Sequence, residues 1–356
     1  MNKAKIISMI NYKGGVGKTT STFNLACGLS FLASKKVLMI DLDPQCSLTN
    51  TCLESYKRKN NKYDFDITCL DIDQTINHVF KEYLKDARLR RGVNIDLDRL
   101  ILKNFYKGDG SKDYEIDLIP ATMFDYSNQK YAMGLDDLQI EIASNITGTT
   151  TNLFHATFLS KFFCDFGIDK MYDFIIFDCP PANNITTQNA LVVSDYILIP
   201  TIMDSMSSNG IIHLYNLINE TIFGKLNESY NYEKNEDKDI EQTEYFNYIR
   251  KGAPKLLGIF ETLRKPSVNV DNIKLRIEKN EKLKDKYFKE ITIYNLVEVS
   301  KKIGNGLSVF SKGEINTTSQ NRPDLEYAKL VVKVLQGTDT DFNIDDLKCI
   351  YKNSYM

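Results

Sequence analysis

The sequence runs to 356 residues and 40.8 kDa with 42% hydrophobic residues, enough for the core of one large α/β domain or two small ones. Forty-five basic residues nearly balance 47 acidic ones, for a formal net charge of −2, so the molecule as a whole does not attract nucleic acid or acidic membrane; any such binding must come from a local patch. Seven cysteines, an odd number with no C-x-x-C pair, argue against a disulfide framework, a zinc site or an iron–sulfur cluster, and with no secretory h-region and no apolar run near ~18 residues the expected setting is the cytoplasm.

The first readable stretch is KIISMINYKGGVGKTT at 5–20, a buried strand, a glycine-rich turn and a helix start. That order makes a phosphate cradle. Gly14, Gly15 and Gly17 leave room for backbone N–H groups to converge on phosphate oxygens, and the helix start adds unpaired donors and the positive end of its dipole. Lys18 then reaches the β and γ phosphates and the Thr19 hydroxyl reaches Mg²⁺, with Val16 and Thr20 completing the loop. The spacing departs from the ordinary P-loop, because Tyr12 stands six residues before Lys18 where a glycine is expected.

KGGVGKT, opened by a second lysine at Lys13, resembles the deviant Walker A motif of the ParA/MinD family of positioning ATPases, and the ParA/Soj-type partitioning ATPases in particular. The resemblance implies ATP and Mg²⁺ as cofactors and a homodimer that forms on ATP. It also implies that Lys13 crosses to the partner subunit's nucleotide and acts there as an arginine finger does.

After the loop, Thr22, Leu25, Ala26, Leu29, Leu32 and Ala33 recur at three- and four-residue spacings, which predicts a helix over 18–34 with one buried face. VLMI at 37–40 reads as a buried parallel strand that delivers DLDPQ at its C-terminal end, where ligands of such sheets bind. DLDPQ resembles the family's switch I. By that resemblance Asp43 is the catalytic carboxylate that positions or deprotonates the attacking water, and Asp41 supports it near the metal. The basic run KRKNNK at 57–62 reads as a solvated loop, a helical pattern follows at about 74–90, and IDLIPA at 116–121 is another strand. NKYD at 61–64 spells a guanine signature but falls on the wrong side of the next motif, so ATP is retained.

YDFIIFDCPPA at 172–182, a four-residue apolar run ending in an aspartate and two prolines, resembles the family's Walker B and switch II. Asp178 is then the residue that holds a metal-bound water. YILIP at 196–200 is a further strand and MSSNGIIHLYNLI the next helix, where Asn209 replaces the arginine that many ParA proteins use on DNA. ESYNYEKNEDKDIEQTE, between 225 and 245, has the composition of an exposed insertion. LLGIFETL at 256–263 reads as a strand, followed by a lysine-rich helical stretch to about 289, then ITIYNL, a short helix, GLSVF and an amphipathic helix at 324–335. His78, His155 and His213 lie far apart without ligand spacing and read as structural.

The expected fold is α/β, a doubly wound, mostly parallel sheet flanked by helices, with nucleotide at the strand C-termini. One P-loop ATPase domain is expected over 1–340, with insertions near 54–115 and 225–250 and a C-terminal tail at 341–356. The resemblance implies a plasmid or chromosome partition ATPase that binds DNA without sequence preference and is released by a centromere-binding ParB-like protein. No helix-turn-helix is expected ahead of the loop. A membrane-positioning ATPase of the MinD kind needs a basic C-terminal amphipathic helix, which DDLKCIYKNSYM does not supply, and a metabolic or metal-cluster relative needs paired cysteines. Residues 250–302 hold 14 Lys or Arg against 7 Asp or Glu, which makes Arg264, Lys265, Arg276 and Lys282 the DNA-contacting candidates. The competing reading of that run is a solvated helix with partners such as Glu278 and Lys282.

Overall fold

Short runs of branched and aromatic residues, each bounded by charge or a turn, build the centre of the molecule. In the computed structural model, which describes residues 3–109, 114–126, 134–145, 149–204, 207–264, 270–312 and 322–342, they form one seven-stranded sheet. The strands are β1 (Lys5–Met9), β2 (Val37–Asp41), β3 (Ile116–Ile119), β4 (Phe174–Asp178), β5 (Tyr196–Thr201), β6 (Lys255–Arg264) and β7 (Tyr287–Tyr294). Their order is β3-β2-β4-β1-β5-β6-β7 and every pairing is parallel. Parallel strands need helical crossovers that cover both faces, which is why β2, β3 and β4 are buried at every position.

Alternation along the strands splits the apolar residues into two cores. Ile6, Leu38, Ile175 and Ile197 face one layer, and Ile7, Met39, Ile176 and Leu198 face the other. The first layer holds α3 (Ile76–Leu89) and the 158–166 and 185–193 helices; the second holds α1 (Lys18–Ala33) and the 323–337 helix.

Helix α1 is buried on more than the single face its spacing suggests: Lys18 and all residues from Ser21 to Phe31 are buried. The sheet lies on one side of it and the 323–337 helix on the other, at Gly28, where an added Cβ would sit 2.6 Å from Val331 and 2.8 Å from the Phe310 ring. Polar residues on that helix are therefore satisfied internally, as where Asn24 Oδ1 accepts the Val309 amide at 2.8 Å.

Four expectations are corrected. Residues 57–60 of the basic run are the last turn of helix α2 (Ser47–Asn60), not loop, and Lys57, Arg58 and Lys59 sit at the favourable C-terminal end of its dipole. Asn61 caps that helix in the left-handed conformation, a structural role for the start of the NKYD stretch. The 225–245 segment is not simply exposed: it belongs largely to the Phe223–Glu236 helix, which buries Leu226, Ser229 and Tyr230, and to a turn that buries Ile240. The polar composition hides this because the buried residues are a few among many solvated ones. The lysine-rich helix stops at Lys279, and residues 287–290 already belong to β7; Glu278 pairs with Lys289, and Lys282 with Glu220 instead of Glu278.

Candidate nucleotide site

Strand β1 ends at Met9 in the middle of the sheet, and the chain turns through 10–17 before α1 starts at Lys18. Gly15 and Gly17 adopt φ of 69° and 78°, where a side chain would be strained, and an added Cβ at Gly14 or Gly15 would meet nothing within 4 Å. The loop mouth is thus open. Among the described residues no partner is recorded for the backbone N–H groups of residues 14 to 20; the first bond of the turn is from the Ser21 amide to the Gly17 carbonyl at 2.9 Å. Gly17 caps α1 with no side-chain bond, so the donors of the first turn point outward. This cradle fits a phosphate chain.

Lys18 lies over the loop, 7% exposed, and its Nζ donates to the carbonyls of Asn11 at 3.0 Å and Lys13 at 3.4 Å. Burial pulls its pKa down, and the carboxylates of Asp178 and Asp43 oppose that shift. The next residue, Thr19, donates through Oγ1 to Asp178 Oδ2 at 2.6 Å, and Thr22 Oγ1 lies 3.4 Å from the other oxygen. A hydroxyl beside a buried carboxylate is an oxygen-only donor set, as suits Mg²⁺, which keeps several of its own waters. Among the described residues no group of three or more His, Cys, Asp and Glu gathers into a metal cage.

Asp41 and Asp178 are register partners on β2 and β4, and both are wholly buried. Burial pushes Asp41 up to about 7, with the charge of Asp43 adding to it, and Asp178 up to about 8, with the charges of Asp41 and Asp43 adding to it. Asp41 is otherwise engaged: it accepts the Thr49 amide at 2.8 Å, the Thr49 hydroxyl at 2.7 Å and the Asp43 amide at 3.1 Å. Its role in this geometry is to shape the turn that carries Asp43. Asp43 itself is partly exposed, with Oδ1 on the Gln45 amide at 2.9 Å, and belongs to the rim of the site. Lys13 is on the same rim, and its ammonium is ion-paired within the chain to Asp204, beyond the end of β5.

Two of the four DNA candidates are engaged in ion pairs. Arg264 is 18% exposed and pairs with the buried Glu261 at 3.2 Å, and Lys282 pairs with Glu220 at 3.6 Å. Arg276 is exposed on the 271–279 helix, and Lys265 lies outside the described residues.

Several residues that build the site have no local sequence signal. Asn11 staples the loop, giving Nδ2 to Pro200 at 2.9 Å and accepting the Lys13 amide on Oδ1 at 2.9 Å. Thr262, 246 positions from its partner, donates to the Val16 carbonyl at 2.7 Å. Beside Gly17 and Thr20 lies a cavity of about 300 Å³ lined by Leu263, Ile293, Asn295 and Leu296, largely apolar and large enough for a heterocyclic base. Of that lining only Gly17 and Thr20 stood in a recognisable motif.

The family described as AAA domain matches residues 4–123 and 132–231, more than half of the chain. Sporulation initiation inhibitor protein Soj of Bacillus subtilis is 27% identical over 214 residues, covering 60% of this chain and 64% of Soj. The chain spans between 50% and 64% of the length of the curated relatives it matches first. Its fold resembles that of the Cyanothece McdA–ATP complex, with a TM-score of 0.58 and 17% identity over 96% of this chain and 99% of that one. It also resembles a putative plasmid partition protein from Borrelia burgdorferi bound to AMPPNP, with a TM-score of 0.55 and 21% identity over 94% and 98% of the two chains. With a deviant Walker A loop at the centre of a parallel sheet, this chain belongs to the AAA-domain family that contains the ParA/Soj-type partitioning ATPases.

Proposed function

We propose that the chain is a DNA partition ATPase that dimerises on ATP, binds DNA without sequence preference and is released when a centromere-binding ParB-like partner stimulates hydrolysis. The observation that carries this reading is the convergence of Lys18, the Thr19–Asp178 pair and Asp43 on the open cradle of residues 14 to 20. ATP with Mg²⁺ would supply the transferable γ-phosphoryl group there. The chain's own part is to cradle the phosphates with backbone donors, set Lys18 and Thr19 against them, and orient or deprotonate a water with Asp43.

Lys13 is the residue that ties hydrolysis to dimerisation. Its partner here, Asp204, is about as exposed as Lys13 itself, 37% against 40%, and such a pair contributes roughly 0–1 kcal/mol. A pair so weak leaves Lys13 free to exchange Asp204 for a second subunit's nucleotide. Of the four named candidates Arg276 is the described one that is exposed without a recorded ion pair, and Lys255, Lys279, Lys284, Lys286 and Lys301 of the same run are exposed without one among the described residues as well. Among the described residues no helix is long and apolar enough to cross a membrane.

The deciding experiment measures binding of random-sequence duplex DNA with ADP, with ATP and with a slowly hydrolysed ATP analogue, at several salt concentrations. The proposal requires tight, salt-sensitive binding with ATP or the analogue only. Equal binding in all three nucleotide states refutes it.

A further inference from the structure

Because every strand runs in the same direction, the residues that open the strands collect along one edge of the sheet, opposite the nucleotide loop. On β1, β5 and β6 that edge holds a cavity of about 390 Å³ bordered by four lysines, Lys3, Lys5, Lys251 and Lys255, and a single carboxylate, Asp195. We propose that this cavity is a second anion site, built for a phosphate group.

The four cations come from distant parts of the chain but are held by the sheet. Lys5 donates its amide to the Asp173 carbonyl and Lys255 donates its amide to the Asp195 carbonyl, each at 2.9 Å. Tyr196 lies opposite Ile7 on one side and Lys255 on the other. Strand alternation then puts Lys5, Tyr196 and Lys255 on the same face of three adjacent strands, spaced about 4.8 Å apart.

Asp195 offsets only one of the four lysines that border the cavity, and both its oxygens are engaged. Oδ2 accepts the Ile6 amide at 3.0 Å, and Oδ1 accepts the Lys251 ammonium at 2.9 Å. Lys251 also donates to the Val193 carbonyl at 2.7 Å, which fixes its ammonium and leaves a third proton for a ligand. Lys3 is paired with Asp169 at 2.8 Å, a carboxylate that also accepts the Tyr248 hydroxyl. Asp339 adds a distant negative charge felt at Tyr196. Lys5 and Lys255 have no recorded side-chain partner among the described residues, so the edge carries two uncompensated cations beside a pre-positioned third. A phosphate, with several acceptor oxygens, matches that set better than a single carboxylate does.

Phosphate could come from a nucleic-acid backbone or from a free polyphosphate. The backbone source rests on the DNA-binding reading above; the site itself does not. The test uses the full chain in a Lys18→Ala background, which removes the first phosphate site, and compares it with the same chain carrying Lys5→Ala and Lys255→Ala. A charge-matched control carries Lys107→Ala and Lys238→Ala, both exposed and outside the 250–302 run. Tripolyphosphate and random-sequence duplex DNA are titrated separately, and ATP binding by Lys5→Ala/Lys255→Ala in the otherwise native chain checks the fold.

Tripolyphosphate should bind at least about tenfold more weakly without Lys5 and Lys255, with the control unchanged, since each lost contact is a charge-assisted hydrogen bond. A parallel loss of DNA affinity identifies the backbone as the source; loss for tripolyphosphate alone identifies a free phosphate-bearing ligand. Unchanged tripolyphosphate affinity, or an equal loss in the control, overturns the site. If native chain binds no DNA, only the partition reading fails.

Discussion

Replacing Lys18 by Met separates a ligand-binding lysine from a structural one, because it keeps the apolar stem and removes the ammonium. In the structure Lys18 is 7% exposed and its ammonium is compensated by two loop carbonyls, at 3.0 and 3.4 Å, with burial pulling its pKa down. Two such bonds roughly offset the desolvation of the group, so removing it should change folding stability by less than about 1 kcal/mol in either direction. With ATP bound the balance differs, since the partner is then a polyanion in a partly dehydrated cradle. Removing one side of a buried charged contact costs about 2–5 kcal/mol, roughly 30- to 5,000-fold in affinity. The assay is a calorimetric ATP titration with Mg²⁺, beside thermal unfolding with and without nucleotide. Ligand at a thousand times its Kd contributes about 4 kcal/mol to wild-type stability, and Lys18→Met should lose most of that nucleotide-dependent shift while keeping its unliganded Tm. An ATP affinity within threefold of wild type, or a collapse of the unliganded Tm, would refute the assignment of this loop as the phosphate site.

Asp43→Ala should bind ATP and accumulate as a dimer, whereas Lys13→Ala should bind ATP and stay monomeric; sedimentation with ATP and Mg²⁺ decides, and a Lys13 variant that dimerises like wild type ends the trans role. Asp178 has its folded pKa raised from 3.8 to about 8, so its contribution to stability is full below about pH 4 and is lost as pH rises through 8. Asp178→Asn, which stays neutral, should therefore gain Tm relative to wild type on going from pH 5 to pH 9 in nucleotide- and Mg²⁺-free buffer; a flat or reversed difference contradicts the buried like-charge pair. Gly258→Ala would place a Cβ 2.1 Å from the Phe288 ring between β6 and β7, and urea unfolding should register an overpacking loss of about 1–3 kcal/mol. A change below ~0.5 kcal/mol would show that Phe288 moves aside freely.

The candidate nucleotide site was legible in the sequence to the extent that its chemistry is local. The loop from Lys13 to Thr20 needs glycines, a lysine and a hydroxyl within one turn, and the strand-end aspartates at 41, 43 and 178 each follow an apolar run that only a buried parallel strand explains. Strand positions followed for the same reason, since period and burial are properties of neighbours in the chain. Polar-rich helices escaped notice, as at 57–60 and 223–236, because their buried residues are too few to outweigh the solvated ones in composition.

What the tertiary structure alone decided is which distant residues meet. Strand order puts Asp178 against Thr19, Thr262 under Val16 and Asp204 beside Lys13, separations of 159, 246 and 191 residues that no local pattern encodes. It also decided charge. The basic excess at 250–302 is real in the sequence, yet folding spends part of it on Glu261, Glu220 and Glu278, while Lys5 and Lys255, 250 positions apart and unremarkable in the chain, become neighbours on one edge. Charge run and charge patch differ because a run counts residues along the chain, whereas a patch counts what carboxylates leave uncompensated in space.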